Sequence, residues 1–262
     1  MTKLLQLLAD NRQRTIRAKS APIIVKNQAQ AADGSSEATL YLYDSIVSDR
    51  LTAEYWGGVC AQDLVPQIAA IEADTIHVRI NSPGGDVFAA QAISTALSQH
   101  KAQVIAHIDG IAASAATSIA CSCDQVEIAS GAMYMIHNAW TFAMGNRLDL
   151  LATAALLEKV DGQLAGQYQK FTNGDLKQIT DWMDAETWFT ADEAVANGFA
   201  SRLASTKAEA SAWNLSAYAR APKAIHAPAP PVPEPQPANH ATEEHRARQQ
   251  QRLQTALRTR SL

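Results

Sequence analysis

Thr75–His100 reads TIHVRINSPGGDVFAAQAISTALSQH. In its opening TIHVRI, Ile76, Val78 and Ile80 alternate with more polar residues, the period of a β-strand. Pro83, Gly84 and Gly85 break the run. Beyond them Val87, Ala90, Ile93 and Leu97 recur at helical spacing. A strand, a glycine turn and a helix in succession form the first part of a βαβ unit.

The same alternation continues on both sides. ATLYLYDSIV, from Ala38, is an earlier strand with Leu40 and Leu42 on one face. AQVIAHI, from Ala102, is the next strand, and SAATSIACS, from Ser114, the next helix. QVEIA and AMYMIH supply further short strands. Arg147 to about Phe171 forms one long helix, with Leu150, Ala154, Leu157, Leu164, Tyr168 and Phe171 near heptad positions. That stripe is long enough for an oligomer contact as well as core. Thr190-Ala191-Asp192-Glu193 is a capping box, and Gly198 suits the left-handed end of the short helix it opens. The fold class is α/β, with helices packed on a sheet.

Both ends differ in composition from this body. Residues 1–37 read as an extension: KLLQLLADNRQR could form a short amphipathic helix, and NQAQAADGSSE reads as a mobile polar loop. Residues 38–221 form the folded domain. Residues 222–241 contain APAPPVPEPQPA, an extended Pro-rich spacer. Residues 242–262 are basic and helix-prone, with only Leu253, Ala256 and Leu257 as an apolar cluster. From Pro222 onward six Lys/Arg stand against three Asp/Glu, so with a chain total of −4 the remainder carries −7. An acidic body argues against a nucleic-acid-binding core.

The cysteines, Cys60, Cys121 and Cys123, lack both disulfide-framework number and metal-site spacing, and a reducing, cytoplasmic setting fits them. No metal or cofactor is expected. No apolar run reaches the roughly twenty residues of a membrane span, and the N-terminus lacks the features of a signal peptide.

GIAASAA, Gly110–Ala116, places one hydroxyl, Ser114, where a strand gives way to a helix. A hydroxyl becomes a nucleophile only with a base, a group that orients the base, and donors for the developing oxyanion. Of the seven histidines, His226, His240 and His245 lie in the tail, His77 and His107 in strand-like runs, and His100 at a helix end. His137 ends an apolar strand, where a site residue reaches the surface from a rigid element. Donors are available from the Gly84-Gly85 turn and from the N–H of Ala115, at the start of the next helix. For the orienting acid, Asp161, Asp181, Asp184 and Glu186 are all present, and spacing does not choose among them.

INSPGGDVFAA, GIAASAA, MYMIHNAW and TWFTADEAVANGF, in this order, resemble the Clp protease proteolytic subunit family within the ClpP/crotonase-like superfamily, over roughly residues 38–204. Within it the chain is most similar to phage and prophage head maturation (prohead) proteases, whose forms often read ETW at the segment beginning with Glu186. The resemblance implies a repeated ββα spiral with a long handle-type helix. It implies Ser114 as nucleophile, His137 as general base, and the N–H groups of Gly85 and Ala115 as the oxyanion hole. An ungapped alignment from His137 puts the family's acid on Glu186, where Asp is usual, with Asp184 as the second candidate.

The expected activity is therefore serine endopeptidase action on protein or peptide substrates within a homo-oligomer, commonly of heptameric rings. Capsid or scaffold proteins would be the partners in a phage setting, in the bacterial cytoplasm or the procapsid. The housekeeping variant works with an AAA+ unfoldase. A crotonase-type acyl-CoA enzyme would share the oxyanion loops but has no need of Ser114 with His137. A non-catalytic ring component would need neither, and a Ser–Lys dyad would leave His137 without a role.

Overall fold

The computed structural model describes residues 26–30, 35–207, 215 and 218–222. The expected N-terminal helix, and almost all of the Pro-rich spacer and basic tail, lie outside them.

The main sheet contains β2 (Ser36–Leu42), β5 (Thr75–Ser82), β6 (Gln103–Ala113), β7 (Gln125–Ser130) and β10 (Arg202–Lys207), in that order and all parallel. β1 (Lys26–Gln30) adds an antiparallel edge beside β2. By its composition Asn27–Gln30 belongs to a polar loop, and the sequence begins the domain at residue 38. An edge strand needs only backbone pairing, so a polar stretch with no hydrophobic alternation can still occupy one. A small separate pair, β3 (Ile46–Val47) and β4 (Val59–Cys60), brackets α1 (Arg50–Trp56).

Between the sheet strands run α2 (Ala61–Ala69), α3 (Val87–Ser98) and α4 (Ala115–Ala120). They cover one sheet face, where Leu40, Leu42, Ile76, Val78, Ile80, Val104, Ala106, Ile108, Val126 and Ile128 are buried. The opposite face is polar. There Glu37, His77, His107, Glu127 and Arg202 run across all five parallel strands, with His77 Nδ1 and His107 Nε2 2.8 Å apart. This explains why His77 and His107 sit in strands with apolar neighbours in sequence: the period of two sends them to the other side. His100 is structural as well, bonding the Ile71 carbonyl and accepting from Ala102 N–H. All three cysteines are free, and burial pushes the Cys121 thiol up to about 12, so it has no nucleophilic form at neutral pH.

β6 is the strand that builds the site. Its first half pairs with β7 through Ile105–Ile108. Its second half pairs with β8 (Met133–Ile136) through Ile111–Ala113, and β8 pairs antiparallel with β9 (Thr187–Thr190). One strand thus serves two layers, changing partner at Asp109-Gly110. Asp109 is buried there, held by Arg79 Nε at 2.9 Å and Tyr43 Oη at 2.6 Å.

α5 (Arg147–Thr172) begins with a capping box of Asn146 and Asp149. Its C-terminal half packs on the body through Leu164, Ala165 and Tyr168, whereas Leu148, Leu150, Leu151 and Leu156 near its start are exposed. α6 (Leu176–Asp184), β9 and α7 (Ala191–Ala196) follow. The predicted capping box at Thr190 and Glu193 is formed, and Gly198 takes φ 79°. Trp182, Phe189, Phe199 and Tyr134 join these elements to β8, with successive ring centroids 5.1–5.2 Å apart. Each such pair contributes about 0.5–1.5 kcal/mol beyond area burial.

Candidate active site

Ser114 stands between the end of β6 and α4, at φ 55° and ψ −126°. An L-residue with a side chain reaches that conformation at a cost of about 1–3 kcal/mol, and only where its surroundings hold it. They do so at both ends of the residue. Ser114 N–H donates to the Met135 carbonyl at 2.9 Å, tying the turn to β8. Its carbonyl accepts Thr117 N–H at 2.9 Å and Thr117 Oγ1 at 2.5 Å. Thr117 Oγ1 in turn bonds Tyr168 Oη from α5 at 2.6 Å. Alanines 112, 113, 115 and 116 are buried around this turn, so the small residues flanking Ser114 allow close packing beneath a partly exposed hydroxyl.

β8 delivers the second group. His137 follows Ile136 directly, and its Nε2 lies 2.7 Å from Ser114 Oγ. Because Ser114 N–H is bonded to Met135, the two side chains are placed by adjacent strands with little slack. Burial lowers the His137 pKa to about 4, against an opposing pull from the nearby Glu186 carboxylate. The imidazole is therefore neutral at pH 7 and able to take a proton.

The Pro83–Gly85 turn closes the third side. Gly84 and Gly85 have φ 91° and 152°. A Cβ on Gly85 would lie 2.0 Å from the Ile46 carbonyl oxygen, and one on Gly84 only 2.8 Å from Ser114 Cβ. Glycine is the residue that fits between β3 and the Ser114 turn. Ile46 N–H donates to Gly84 O, and Asp86 N–H donates to Ile46 O. In that parallel bridge, Gly85 directs its own N–H to the other side. Ala115, at the first position of α4, has an N–H that the helix itself does not use.

The acidic candidates separate clearly. Asp161 accepts Ala139 N–H at 2.6 Å, Asp181 pairs with Lys177 at 2.7 Å, and Asp184 accepts from Asn138 Nδ2 at 2.7 Å. Glu186 is near enough to His137 to act on its charge but makes no hydrogen bond to it among the described residues. Its carboxylate instead accepts Ala219 N–H at 2.8 Å, Arg220 N–H at 2.6 Å and Trp188 Nε1 at 3.2 Å. Glu186 itself has φ 48°, a left-handed value that carries strain for a residue with a Cβ.

Tyr218 belongs to the site and was not singled out from the sequence. Its ring meets His137 edge-on at 5.2 Å, and its hydroxyl donates to the Pro83 carbonyl. The available signal was the cluster of Trp213, Leu215 and Tyr218 in the Ala-rich stretch before the Pro-rich spacer.

A family model described as Clp protease matches residues 36–207. The ATP-dependent Clp protease proteolytic subunit 3 of Rhodococcus jostii (strain RHA1) is 32% identical over 150 residues, covering 56% of this chain and 74% of that protein. The ATP-dependent Clp protease proteolytic subunit of Streptococcus pyogenes serotype M1 is 28% identical over 196 residues, covering 68% and 93%. In fold, the chain is similar to a mutant of ClpP1 from Listeria monocytogenes, with TM-score 0.55, 22% identity, and 63% and 90% of the two chains covered. With the family model spanning most of the described domain, the chain belongs to the Clp protease family and is a serine endopeptidase of the Clp type.

Proposed function

We infer that Ser114, His137 and Glu186 act as a nucleophile–base–acid set that hydrolyses peptide bonds. The observation that carries this is the 2.7 Å contact between Ser114 Oγ and a neutral His137 Nε2. His137 takes the Ser114 proton as Oγ bonds to the scissile carbonyl carbon. The oxyanion accepts hydrogen bonds from Gly85 and Ala115 N–H. Collapse breaks the C–N bond, and the leaving amine takes the proton from Nε2. Water, deprotonated by the same imidazole, then cleaves the acyl-enzyme. Glu186 is the orienting acid, with Asp184 the second candidate. Asp184 is exposed and already committed to Asn138.

Ser114→Ala should abolish peptide hydrolysis and fluorophosphonate labelling in a folded protein, a loss of roughly 10⁴–10⁶-fold in rate. Undiminished hydrolysis by that variant removes Ser114 from the mechanism. A crotonase-type reading predicts enoyl-CoA hydration or acyl-CoA hydrolysis that survives the same substitution.

The apolar start of α5, exposed at Leu148, Leu150, Leu151 and Leu156, supports assembly into rings through this helix. The physiological role is capsid or scaffold maturation in the host cytoplasm or the procapsid. The ETW segment and the appended spacer and basic tail support this reading. Truncation after Ala221 should then leave the oligomer and small-peptide turnover intact while weakening association with a capsid scaffold. Sedimentation and co-assembly test this. Collapse of the ring on truncation sinks the docking role. Unaided processing of capsid proteins favours the phage setting, and strict dependence on an AAA+ unfoldase favours the housekeeping one.

A further inference from the structure

Leu215 and Tyr218–Pro222 lie against the centre just described. Leu215 is fully buried and Tyr218 nearly so, packed with Ile111, Ala113 and Met135 and beside Trp188. Ile111 and Ala113 end the strand that delivers Ser114, and Met135 belongs to the strand that delivers His137. The Tyr218 hydroxyl donates to the Pro83 carbonyl and lies near Ser114. Its ring stands edge-on to His137 and, at 5.8 Å, to Trp188. Ala219 and Arg220 give their N–H groups to Glu186, and the Arg220 guanidinium bonds the Ala185 carbonyl.

This one short segment therefore touches the glycine turn, the nucleophile, the base and the acid. A peptide cannot bring its carbonyl to Ser114 while Tyr218 stands between Pro83 and His137. Glu186 also cannot turn to His137 while its oxygens hold two backbone N–H groups. The segment is fastened by buried apolar side chains and a few hydrogen bonds rather than by a strand ladder, so it can leave while the sheet stays folded.

We propose that the segment carrying Leu215 and Tyr218–Pro222 is an internal competitor of substrate. It fills, with Tyr218, the apolar pocket of Ile111, Ala113, Met135 and Trp188 that otherwise takes a large apolar or aromatic side chain of a peptide, and it keeps Glu186 off His137. The proposal rests on the serine-peptidase reading for its consequence but not for its occupancy, and the test separates the two.

The full-length Ser114→Ala chain is titrated with fluorescein-labelled LSAYARAP, the sequence of residues 215–222, by anisotropy. Tyr218→Ala, which empties the pocket, should tighten binding at least tenfold. Ala219→Pro, which removes one N–H from Glu186 and leaves the pocket walls intact, should tighten it several-fold. The same peptide with Gly in place of its Tyr should not gain. Unchanged affinity in both variants overturns the proposal, as does an equal gain by the glycine peptide. With Ser114 restored, both variants should react with a fluorophosphonate at least tenfold faster than wild type. Tighter peptide binding without any fluorophosphonate reaction upholds the occupancy and removes the peptidase reading instead.

Discussion

The carboxylate of Glu186 is closed on the backbone of Arg220, at 2.6 Å, while it still pulls on the charge of His137 without bonding to it. The two side chains are neighbours held apart by a third segment. Nothing in the sheet itself separates them, because β8 and β9 are directly paired, Ile136 opposite Thr187.

Glu186→Gln should lower kcat by roughly 10²–10⁴-fold, since a neutral amide cannot stabilise the imidazolium that forms on His137. Asp184→Asn should stay close to wild type, because Asp184 serves Asn138 at an exposed position. Steady-state kinetics on a short peptide measure both. The reverse ranking assigns the acid to Asp184.

The pH dependence follows from His137. Its imidazole is held neutral by burial down to about pH 4, so kcat/KM should stay level from neutral pH to about 5 and fall only as pH drops through about 4. An unperturbed histidine would give that limb near 6.5. Stability has the same sign. Between the two values the unfolded chain binds a proton that the folded chain does not, so acidification through this window favours unfolding. In Tyr218→Ala both exposure of the ring and approach of Glu186 favour the charged imidazole, so the acid limb should move upward. A limb that stays put in that variant means that Tyr218 does not cover the base.

Much of this centre was legible in the chain because it lies on regular elements. Strand alternation in TIHVRI, the short apolar run of AMYMIH, the Gly84-Gly85 break and the lone hydroxyl of Ser114 each read locally, and β5, β8 and α4 stand where those patterns put them. The length of β6 was not legible. The run AQVIAHI stops at Ile108, yet the strand goes on to Ala113 by exchanging β7 for β8, and that exchange depends on partners distant in sequence. The edge strand β1 was missed because its pairing is backbone to backbone. The partners of Glu186 were hidden for a similar reason: Ala219 and Arg220 use N–H groups, which no residue type advertises.

Asp109 marks the point where β6 changes partner, buried and held by Arg79 and Tyr43. Arg79→Met removes the guanidinium and leaves a buried carboxylate with the Tyr43 hydroxyl as its remaining side-chain hydrogen-bond partner among the described residues. The cost should be about 2–3 kcal/mol, below the fully buried range because Arg79 is partly exposed. Denaturant unfolding should show the lower midpoint. Asp109→Asn in the Arg79→Met background should recover part of the loss, since the uncompensated charge is gone. A double variant no more stable than the single one assigns the cost to lost packing by the Arg79 stem.

Gly84 separates catalytic geometry from stability. Its φ of 91° disfavours any side chain, and a Cβ there would press on Ser114 Cβ at 2.8 Å and on the Ala113 carbonyl oxygen at 2.5 Å. These contacts are longer than those at Gly85, so the Pro83–Gly85 turn has less far to move, but it must move against the turn that holds Ser114. At Gly85 the obstacle is Ile46 backbone on the far side, at 2.0 Å, which cannot yield without moving β3. Gly84→Ala should therefore lose less stability than Gly85→Ala and lose roughly 10²-fold in kcat, the scale expected when reacting groups are displaced by about an ångström. KM should change little, because the apolar pocket is not touched. Gly85→Ala should instead lower the melting temperature strongly. Circular dichroism melts beside peptide kinetics distinguish the two, and a Gly84→Ala enzyme with normal kcat shows that the turn does not set the position of Ser114.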